Sequence, residues 1–233
     1  GRPNFRNIQK LTFQSKDYNR ILFASDFHWR HQKSFVWEAR GFSSHKEHAD
    51  FIEKSVLELT DKDLLFHLGD FALNTTEEDV QNLLNSIKCE TYLLAGNHPS
   101  GIKQAYQKAK TDFLSFHNFH TTAEILPLHI APNVVFMGDQ FLVSIDGKKF
   151  FCNHFAPLIW DGQQHGWGAL FGHSHGGLKG AQPWECDNGK ILDVSVDNAL
   201  KYNNTAFFSF PEIVEIMNKK PIKLYDHHGE ARQ

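Results

Sequence analysis

The chain has 233 residues, of which 41% are hydrophobic and 22% charged, a composition that is typical of a globular protein and excludes a disordered one. The formal net charge of −3 excludes the global positive field of a non-specific nucleic-acid binder, but it allows a small phosphorylated ligand. The length predicts a single domain over residues 1–233, with a core over about 20–210 and a polar tail over about 226–233.

Residue counts and cysteine spacing narrow the class of protein further. The 21 phenylalanines are expected in the core, whereas the 15 histidines need another explanation, and metal binding is one. The three cysteines are far apart and form no Cys-x-x-Cys motif, which favours a reducing compartment. The N-terminal residues are polar and no window approaches 18 apolar residues, so we expect a cytoplasmic protein without signal peptide or membrane span.

The first hundred residues repeat one unit, in which an apolar strand ends in polar side chains and a helix follows. The apolar runs at 21–24, 64–68 and 91–95 predict buried strands of a parallel sheet. A helix cap at Ser43 or Ser44 and a capping box from Thr75 to Glu78 predict the intervening helices. Parallel strands present their carboxyl ends at one edge, where ligands bind in open α/β sheets. The side chains expected to meet there are Asp26, His28, Asp70, Asn97 and His98.

The second half of the chain has a different pattern. After a short helix at about 103–113 it contains several strand-like runs, and Asp146-Gly147 predicts a hairpin between two of them. These runs are 134–136, 140–145, 148–151, 169–171, 191–196 and 205–210. They predict an antiparallel or mixed sheet that packs face to face on the first half.

Histidines follow two of these later strands. His154 ends one of them, and His173 and His175 stand two positions apart between Gly172 and Gly176. In an extended backbone, positions i and i+2 point to the same side, so both imidazoles could face one point. Together with the residues of the first half they form a mixed set of carboxylate, imidazole and amide donors. Such a set suits Mn, Fe, Zn or Ni, and its size predicts two ions that share a carboxylate and activate a bridging hydroxide for phosphoryl chemistry.

Five motifs occur in the order that resembles the calcineurin-like metallophosphoesterases. They are Asp-x-His at 26–28, Gly-Asp at 69–70, Gly-Asn-His at 96–98, the lone His154, and Gly-His-x-His at 172–175. The resemblance extends from about Ile21 to Val196 and is greatest to small bacterial and phage members. It implies an α/β fold in which a two-sheet mixed β-sandwich is flanked by helices, in four α/β/β/α layers.

The resemblance also implies a role for each motif residue. The ligands of a first divalent ion would be Asp26, His28 and His175. The ligands of a second would be Asn97, His154 and His173. Asp70 would bridge both ions and take part in catalysis, and His98 would be a catalytic histidine beside the phosphate. Manganese is the expected metal, with iron, nickel and zinc as alternatives.

The chain departs from the family pattern at two positions. Pro99 follows His98 where the family usually has Asp or Glu, a carboxylate that can orient the histidine. Asn153 precedes His154 where a small residue is common. The first departure puts the catalytic role of His98 in question, because its tautomer and position must then be set by another group.

Other polar residues near the motifs are candidates for contact with substrate. Arg30, His31 and Arg40 follow the first motif and could reach a phosphate, and His165 could line the pocket. His67, inside a strand, is expected in the interior. A solvated terminus is favoured over metal binding for the tail histidines. The remaining histidines, interpreted as ordinary surface or packing residues, are His45, His48, His117, His120 and His129.

These observations favour a metal-dependent hydrolase of phosphate monoesters or diesters acting on a small substrate, with a nucleotide or cyclic nucleotide as a candidate. A nuclease is the alternative within the enzyme class, but the sequence shows no basic groove or added DNA-binding domain. A metal-binding scaffold without catalysis is the alternative outside it. The sequence leaves the oligomeric state open.

Overall fold

The computed structural model describes residues 8–178 and 188–225. The strands in chain order are β1 (Gln9–Phe13), β2 (Arg20–Ala24), β3 (Asp63–His67), β4 (Glu90–Leu94), β5 (Leu128–Ala131), β6 (Val134–Gly138), β7 (Gln140–Ile145), β8 (Lys148–Asn153), β9 (Gly168–Phe171), β10 (Ile191–Asp193) and β11 (Phe208–Ser209). The α-helices are α1 (Ser34–Ala39), α2 (His45–Leu57), α3 (Glu77–Ser86), α4 (Ile102–Phe116), α5 (Val196–Asn203) and α6 (Phe210–Asn218).

The first sheet has six strands in the order β11-β2-β3-β4-β6-β5. Its four central strands are parallel, and the edge strands β11 and β5 are antiparallel to their neighbours. The expected parallel core of the first half is therefore confirmed. Two strands expected in the second sheet belong here instead, because apolar alternation marks β6 and β11 as strands without specifying the strand that each one pairs with.

The second sheet has five strands in the order β1-β7-β8-β9-β10 and is mixed. β7 and β8 form the expected antiparallel hairpin, and positive φ values of 52° at Asp146 and 78° at Gly147 close its two-residue turn. β8, β9 and β10 run parallel. The edge strand β1, which the sequence analysis did not predict, pairs parallel with β7 and turns Leu11 and Phe13 toward the other sheet.

Aromatic side chains fill the space between the two sheets. Phe66 of β3 stacks on Phe23 of the same sheet, with ring centroids 4.8 Å apart. Its centroid lies 5.6 Å from that of Tyr92, also in the first sheet, and 5.7 Å from that of Phe141 in the second sheet. The expected role of phenylalanine in the core is thus confirmed for this layer. Exposed exceptions among the described phenylalanines are Phe35, Phe113, Phe116, Phe119 and Phe155.

Helices α2, α3 and α4 cover the outer face of the first sheet. Side chains alternate along each strand, so Leu22 of β2 and Leu65 of β3 face these helices. Their neighbours on either side along the same strands face the second sheet. Ser44 caps α2, as expected, but α3 is capped by Thr76 and not by Thr75. The cap lies one residue later because the Thr76 hydroxyl accepts from the amide of Asp79.

Three helices were not anticipated. α1 lies within the loop after β2, whereas α5 and α6 begin at Val196 and Phe210, the last residues of the predicted strand ranges 191–196 and 205–210. Ser209 caps α6 in a capping box with Glu212, and Pro211 lies in its first turn, so a helix-start pattern in the sequence was overlooked. None of the helices in the described ranges is long and apolar enough to cross a membrane.

Two mixed sheets flanked by helices confirm the predicted α/β sandwich. On the outer face of the second sheet, Trp160 packs against Ala169, Phe171 and Ile191. The expected polar tail at 226–233 lies outside the described residues. The architecture places the carboxyl ends of β2, β3, β4, β8 and β9 at the same side of the sandwich, where all five motifs are found.

Phe66 contacts aromatic rings of both sheets, so its removal tests the inter-sheet core. We expect Phe66→Ala to lower the free energy of unfolding by about 3–5 kcal/mol, because the side chain is fully buried and leaves a cavity. Urea denaturation measures the change. Phe116→Ala, at a ring that is 85% exposed, is the control and should change stability by less than about 0.5 kcal/mol. Equal effects of the two changes would contradict this account of the core.

Candidate metal centre

Loops from both sheets are joined at the site by hydrogen bonds between their backbones. The amide of Asp26 donates to the carbonyl of Gly69 at 2.9 Å, and that of His28 donates to Asp70 at 3.1 Å. In the second sheet the amide of Gly172 donates to His154 at 2.9 Å. These contacts hold the strand ends in register, so side chains from distant parts of the chain converge on one cleft.

The converging side chains form two groups with the composition of metal sites. One consists of Asp26, His28 and His175, and the other of Asp70, His154 and His173. Within each group the donor atoms all lie within 4.8 Å of one another. The two groups contain six of the seven residues that the family resemblance implied as metal ligands. The seventh is Asn97.

Asp70 lies between the two groups. Its Oδ2 is 3.5 Å from Nε2 of His28 and 3.4 Å from Nε2 of His154. Its Oδ1 accepts the backbone N–H of His98 at 2.8 Å, which fixes the orientation of the carboxylate. Burial alone would raise the pKa of Asp70, but His154 outweighs it and lowers the pKa. One oxygen is therefore held by the backbone while the other faces both groups as an anion.

Asn97 belongs with the second group. Its Oδ1 lies 2.9 Å from Nε2 of His154 and 3.2 Å from Nδ1 of His173. The other ring nitrogen of His154 donates to the carbonyl of Leu68 at 2.8 Å, which directs Nε2 into the site. A ligand imidazole is commonly oriented in this way by a backbone carbonyl.

Two residues of the first group have buried polar atoms without a hydrogen-bond partner among the described residues. They are Oδ1 of Asp26 and both ring nitrogens of His28. An unsatisfied buried group typically costs about 1–3 kcal/mol, so such atoms call for an explanation. Burial raises the pKa of Asp26, but His28, His175 and His154 outweigh it, and the net shift is downward. A divalent cation fits this oxygen and nitrogen donor set and would satisfy Oδ1 of Asp26 and Nε2 of His28, the ring nitrogen that faces the carboxylates.

The backbone at the site is left-handed at residues that are not glycine. The φ values are 59° at Asp26, 45° at His28, 58° at Asp70, 65° at His173 and 49° at His175. Such conformations are uncommon and cost roughly 1–3 kcal/mol each, and they concentrate at functional sites. The sequence argument from an extended Gly-His-x-His stretch was therefore wrong. The two histidines reach the cleft through left-handed turns and enter different groups.

Glycines in the motifs allow the loops to approach closely. A Cβ on Gly96 would collide with the carboxylate of Asp70, and one on Gly172 would collide with the Asp26 carboxylate and the hydroxyl of Ser25. Their role is steric, since any side chain at these positions would displace a candidate ligand.

Asp197, which the sequence analysis did not identify, orients His175. Its Oδ1 accepts from Nδ1 of His175 at 2.9 Å, which leaves Nε2 facing Oδ1 of Asp26 at 3.5 Å. Arg40 donates to the same Asp197 oxygen at 2.9 Å, and to the carbonyls of Asp26 and Phe27. Burial raises the pKa of Asp197, but Arg40 and His175 outweigh it and lower the pKa to about 2.

Asp193 was also overlooked. Its carboxylate accepts the amides of Gly176 and Ser195 at 2.8 and 2.9 Å, which anchors the loop that follows His175. Burial and the charge of Asp26 raise the pKa of Asp193 to about 7. A pattern in the sequence could have revealed both carboxylates. Asp193 ends the apolar strand β10, and Asp197 lies four residues later in the first turn of α5, so carboxylates come at the end of this strand as they do after β2.

The four candidates for substrate contact occupy different places. His31 is buried and lines the cleft, and burial, followed by the charge of His28, lowers its pKa to about 4. The structure does not place the others in the cleft. Arg30 pairs with Asp79 at 2.6 Å, and Arg40 is enclosed by the partners described above. His165 lies in a short 3₁₀ helix beside Trp167. Local sequence could not predict these pairings, because the partners are distant along the chain.

His98 and His67 also differ in position. His98 is exposed, lines the cleft, and has its ring centroid 6.1 Å from that of His28. No side chain among the described residues hydrogen-bonds its ring. The next residue is Pro99, where the family usually has a carboxylate that could orient the histidine. His67 is buried against Phe27 with ring centroids 4.3 Å apart, which confirms its expected interior position.

The cleft has a volume of about 520 Å³, within the range of small-molecule sites. His28 and His175 of the first group and Asp70 and His173 of the second line its polar side. Its wall is formed by side chains of α1 together with Leu73.

Comparisons with known proteins agree with this geometry. The family model described as calcineurin-like phosphoesterase matches residues 19–202. Among solved structures, the chain is similar to AQ665 from Aquifex aeolicus, a protein of unknown function, with 16% sequence identity and a TM-score of 0.52. The match covers 84% of this chain and 98% of that chain, and at this identity it shows the fold alone. None of the curated proteins matches the chain.

The family match covers most of the chain, and the two groups of potential metal ligands lie inside the matched range. Members of this family depend on two metal ions and act on phosphorylated substrates. The chain therefore belongs to the calcineurin-like phosphoesterase family.

Proposed function

We propose that this chain hydrolyses small phosphate esters, using two divalent metal ions held side by side in the cleft. The observation that carries the proposal is the position of Asp70, whose Oδ2 lies within 3.5 Å of one imidazole from each group. A carboxylate so placed can bind to two ions at once. Among the described residues, the backbone donor to this carboxylate is the amide of His98, which bonds Oδ1 and leaves Oδ2 facing the two groups.

The proposed ligands follow the two groups. The first ion would be held by Asp26, His28 and His175, and the second by Asn97, His154 and His173, with Asp70 shared. When bound, such ions lower the pKa of water and neutralise charge on a phosphate. Oxygen and nitrogen ligands of this kind suit manganese, which we propose as the metal, and also suit iron, nickel or zinc.

The residues of the chain that face the cleft have complementary roles in this proposal. Asp26 and Asp70, both buried anions, supply the negative charge that two cations require. His98 lies at the rim, where its ring could donate a proton to the departing oxygen or hydrogen-bond the phosphate. His31 presents a mostly neutral ring at pH 7, because its pKa is lowered to about 4.

One observation favours a second candidate, a metal-binding protein without turnover. The ring of His98 has no orienting hydrogen bond within the described ranges, and Pro99 removes the carboxylate expected next to it. Imidazole orientation affects proton transfer, so a histidine without a partner would be a poor acid. The two candidates differ in one measurement, since the second predicts bound metal with no hydrolysis of any ester.

Replacement of Asp70 by Asn tests the shared ligand. Asp70→Asn keeps the size of the side chain but removes the charge that balances two cations. We expect bound metal to fall and turnover of bis-p-nitrophenyl phosphate with added manganese to drop at least about 100-fold, since even residues behind the ligands affect metal sites by up to that factor. Metal analysis and initial rates measure the two effects.

Asp112→Asn, an exposed carboxylate on α4, is the matched control and should leave both values unchanged. Undiminished turnover in Asp70→Asn would refute the hydrolytic proposal. Metal binding without turnover in the unmodified chain would favour the second candidate.

Replacement of Asp197 by Asn tests its role in positioning His175. Asp197→Asn removes the anion that orients the Nδ1 proton of His175, so we expect metal affinity to weaken about 10–100-fold. Turnover should then recover at high manganese concentration, because the reacting groups themselves are intact. A manganese titration of activity measures the shift.

Asp63→Asn is the control for this change. Asp63 is also buried and paired with an arginine, Arg20, at 2.7 Å, but it does not line the cleft. Both variants should lower stability in urea, because Asp197→Asn leaves the buried cation of Arg40 without its anion, and Asp63→Asn weakens the bonds that Asp63 accepts from Arg20 and the amide of Thr60. Only Asp197→Asn should shift the manganese titration. An equal shift in both variants would mean that Asp197 acts through stability alone.

A further inference from the structure

The cleft beside the candidate ligands has one apolar wall. Phe35, Val36 and Ala39 of α1 line it together with Leu73, whereas the floor is polar. An apolar wall beside a few polar groups is typical of a small-molecule site, and a ligand that covers it gains free energy because apolar surface is removed from water. The wall therefore indicates the kind of group that the substrate carries next to its phosphate.

Phe35 is the largest exposed side chain of this wall, with 67% of the residue accessible. Its ring centroid lies 5.6 Å from that of His31, and the His31 ring lies 5.6 Å from that of His28. The ring of His31 thus lies between Phe35 and His28, which belongs to the first candidate ligand group. A group that stacks on Phe35 must be joined to phosphorus through several atoms.

Phe35 differs from the other aromatic residues of the loop after β2. Trp29 is 2% exposed and packs in the core beneath the first sheet. Trp37 donates its indole N–H to the carbonyl of Gln32, and Phe42 packs on Phe51 with centroids 5.1 Å apart. Among these rings, Phe35 is the one that lines the cleft.

The charge of the cleft limits the size of the substrate. Among the described side chains that line it, Lys33 is the single lysine or arginine, whereas Asp70 and Asp197 contribute negative charge. A polynucleotide strand is normally held by several cationic side chains along its backbone. One lysine and a volume of about 520 Å³ suit a small ester.

We propose that Phe35 is a specificity-determining residue that stacks on an aromatic ring of the substrate, and that this substrate is a small ester of the nucleotide type. The inference rests on the proposed function for the position of the phosphate. It adds the chemical class of the group that the substrate carries next to its phosphate. A flat ring covers the exposed face of Phe35, while the linker spans the distance past His31.

Two inert phosphonates test the proposal without requiring hydrolysis. Phosphonomethoxyethyl adenine carries a ring on a flexible linker, and methoxymethyl phosphonate has the same phosphonate head without the ring. We expect the manganese-loaded protein to bind the adenine compound about tenfold more tightly by calorimetry, a typical value for one stacked base. Phe35→Ala should remove this preference, and Phe35→Trp should retain it.

Phe116→Ala is the control, because it removes an exposed phenylalanine that does not line the cleft. It should leave the preference unchanged. Absence of a preference in the unmodified protein, or its persistence in Phe35→Ala, would overturn the inference. A preference that depends on Phe35 in a protein that hydrolyses no ester would support the inference and refute the proposed function alone.

Discussion

The carboxylate of Asp70 is the constraint on which the rest of the site depends. It lies where the loops after β3 and β4 meet, at a separation that Gly96 permits and a Cβ would prevent. The backbone N–H of His98 holds one oxygen, and the other faces imidazoles contributed by both sheets. Oδ1 of Asp26 is farther from the same two imidazoles, at 3.6 Å from His28 and 3.9 Å from His154, so Asp70 is the described carboxylate with the shorter contacts to both groups.

The strain at the site is balanced by the packing behind it. Left-handed residues such as Asp26 and His173 are unfavourable in isolation. Backbone hydrogen bonds between the loops hold them in place, and the amide of His173 donates to the Asp26 carboxylate at 2.8 Å. The aromatic layer around Phe66 fixes the two sheets against each other. Core and site are therefore coupled through the strand ends.

Buried charge extends the site beyond its proposed ligands. The side chain of Arg40 is completely buried, and its cation is balanced by Asp197. Because Arg40 also bonds the carbonyl groups of Asp26 and Phe27, it connects the first motif to the carboxylate that orients His175. Arg40, which local sequence suggested for substrate contact, thus supports the candidate ligands from behind, and Phe35 lines the cleft.

The sequence by itself determined the strand ends and the identity of the polar residues that follow them. This information is local, because a buried strand is an apolar run and a motif such as Gly-His-x-His needs no distant partner to be read. It sufficed for the α/β class, for the parallel core of the first sheet and for every residue of the two groups in the cleft.

Only the tertiary structure decided which sheet receives β6 and β11, and that Arg30 and Arg40 pair with carboxylates outside the cleft lining. Pairing of strands and of charges depends on packing between residues far apart in the chain, as Arg40 and Asp197 are. Left-handed backbone at Asp26 and His175 is likewise imposed by hydrogen bonds from neighbouring loops, against the local preference of those residues. The sequence specifies which side chains follow the strands, whereas the fold decides where each of these side chains points.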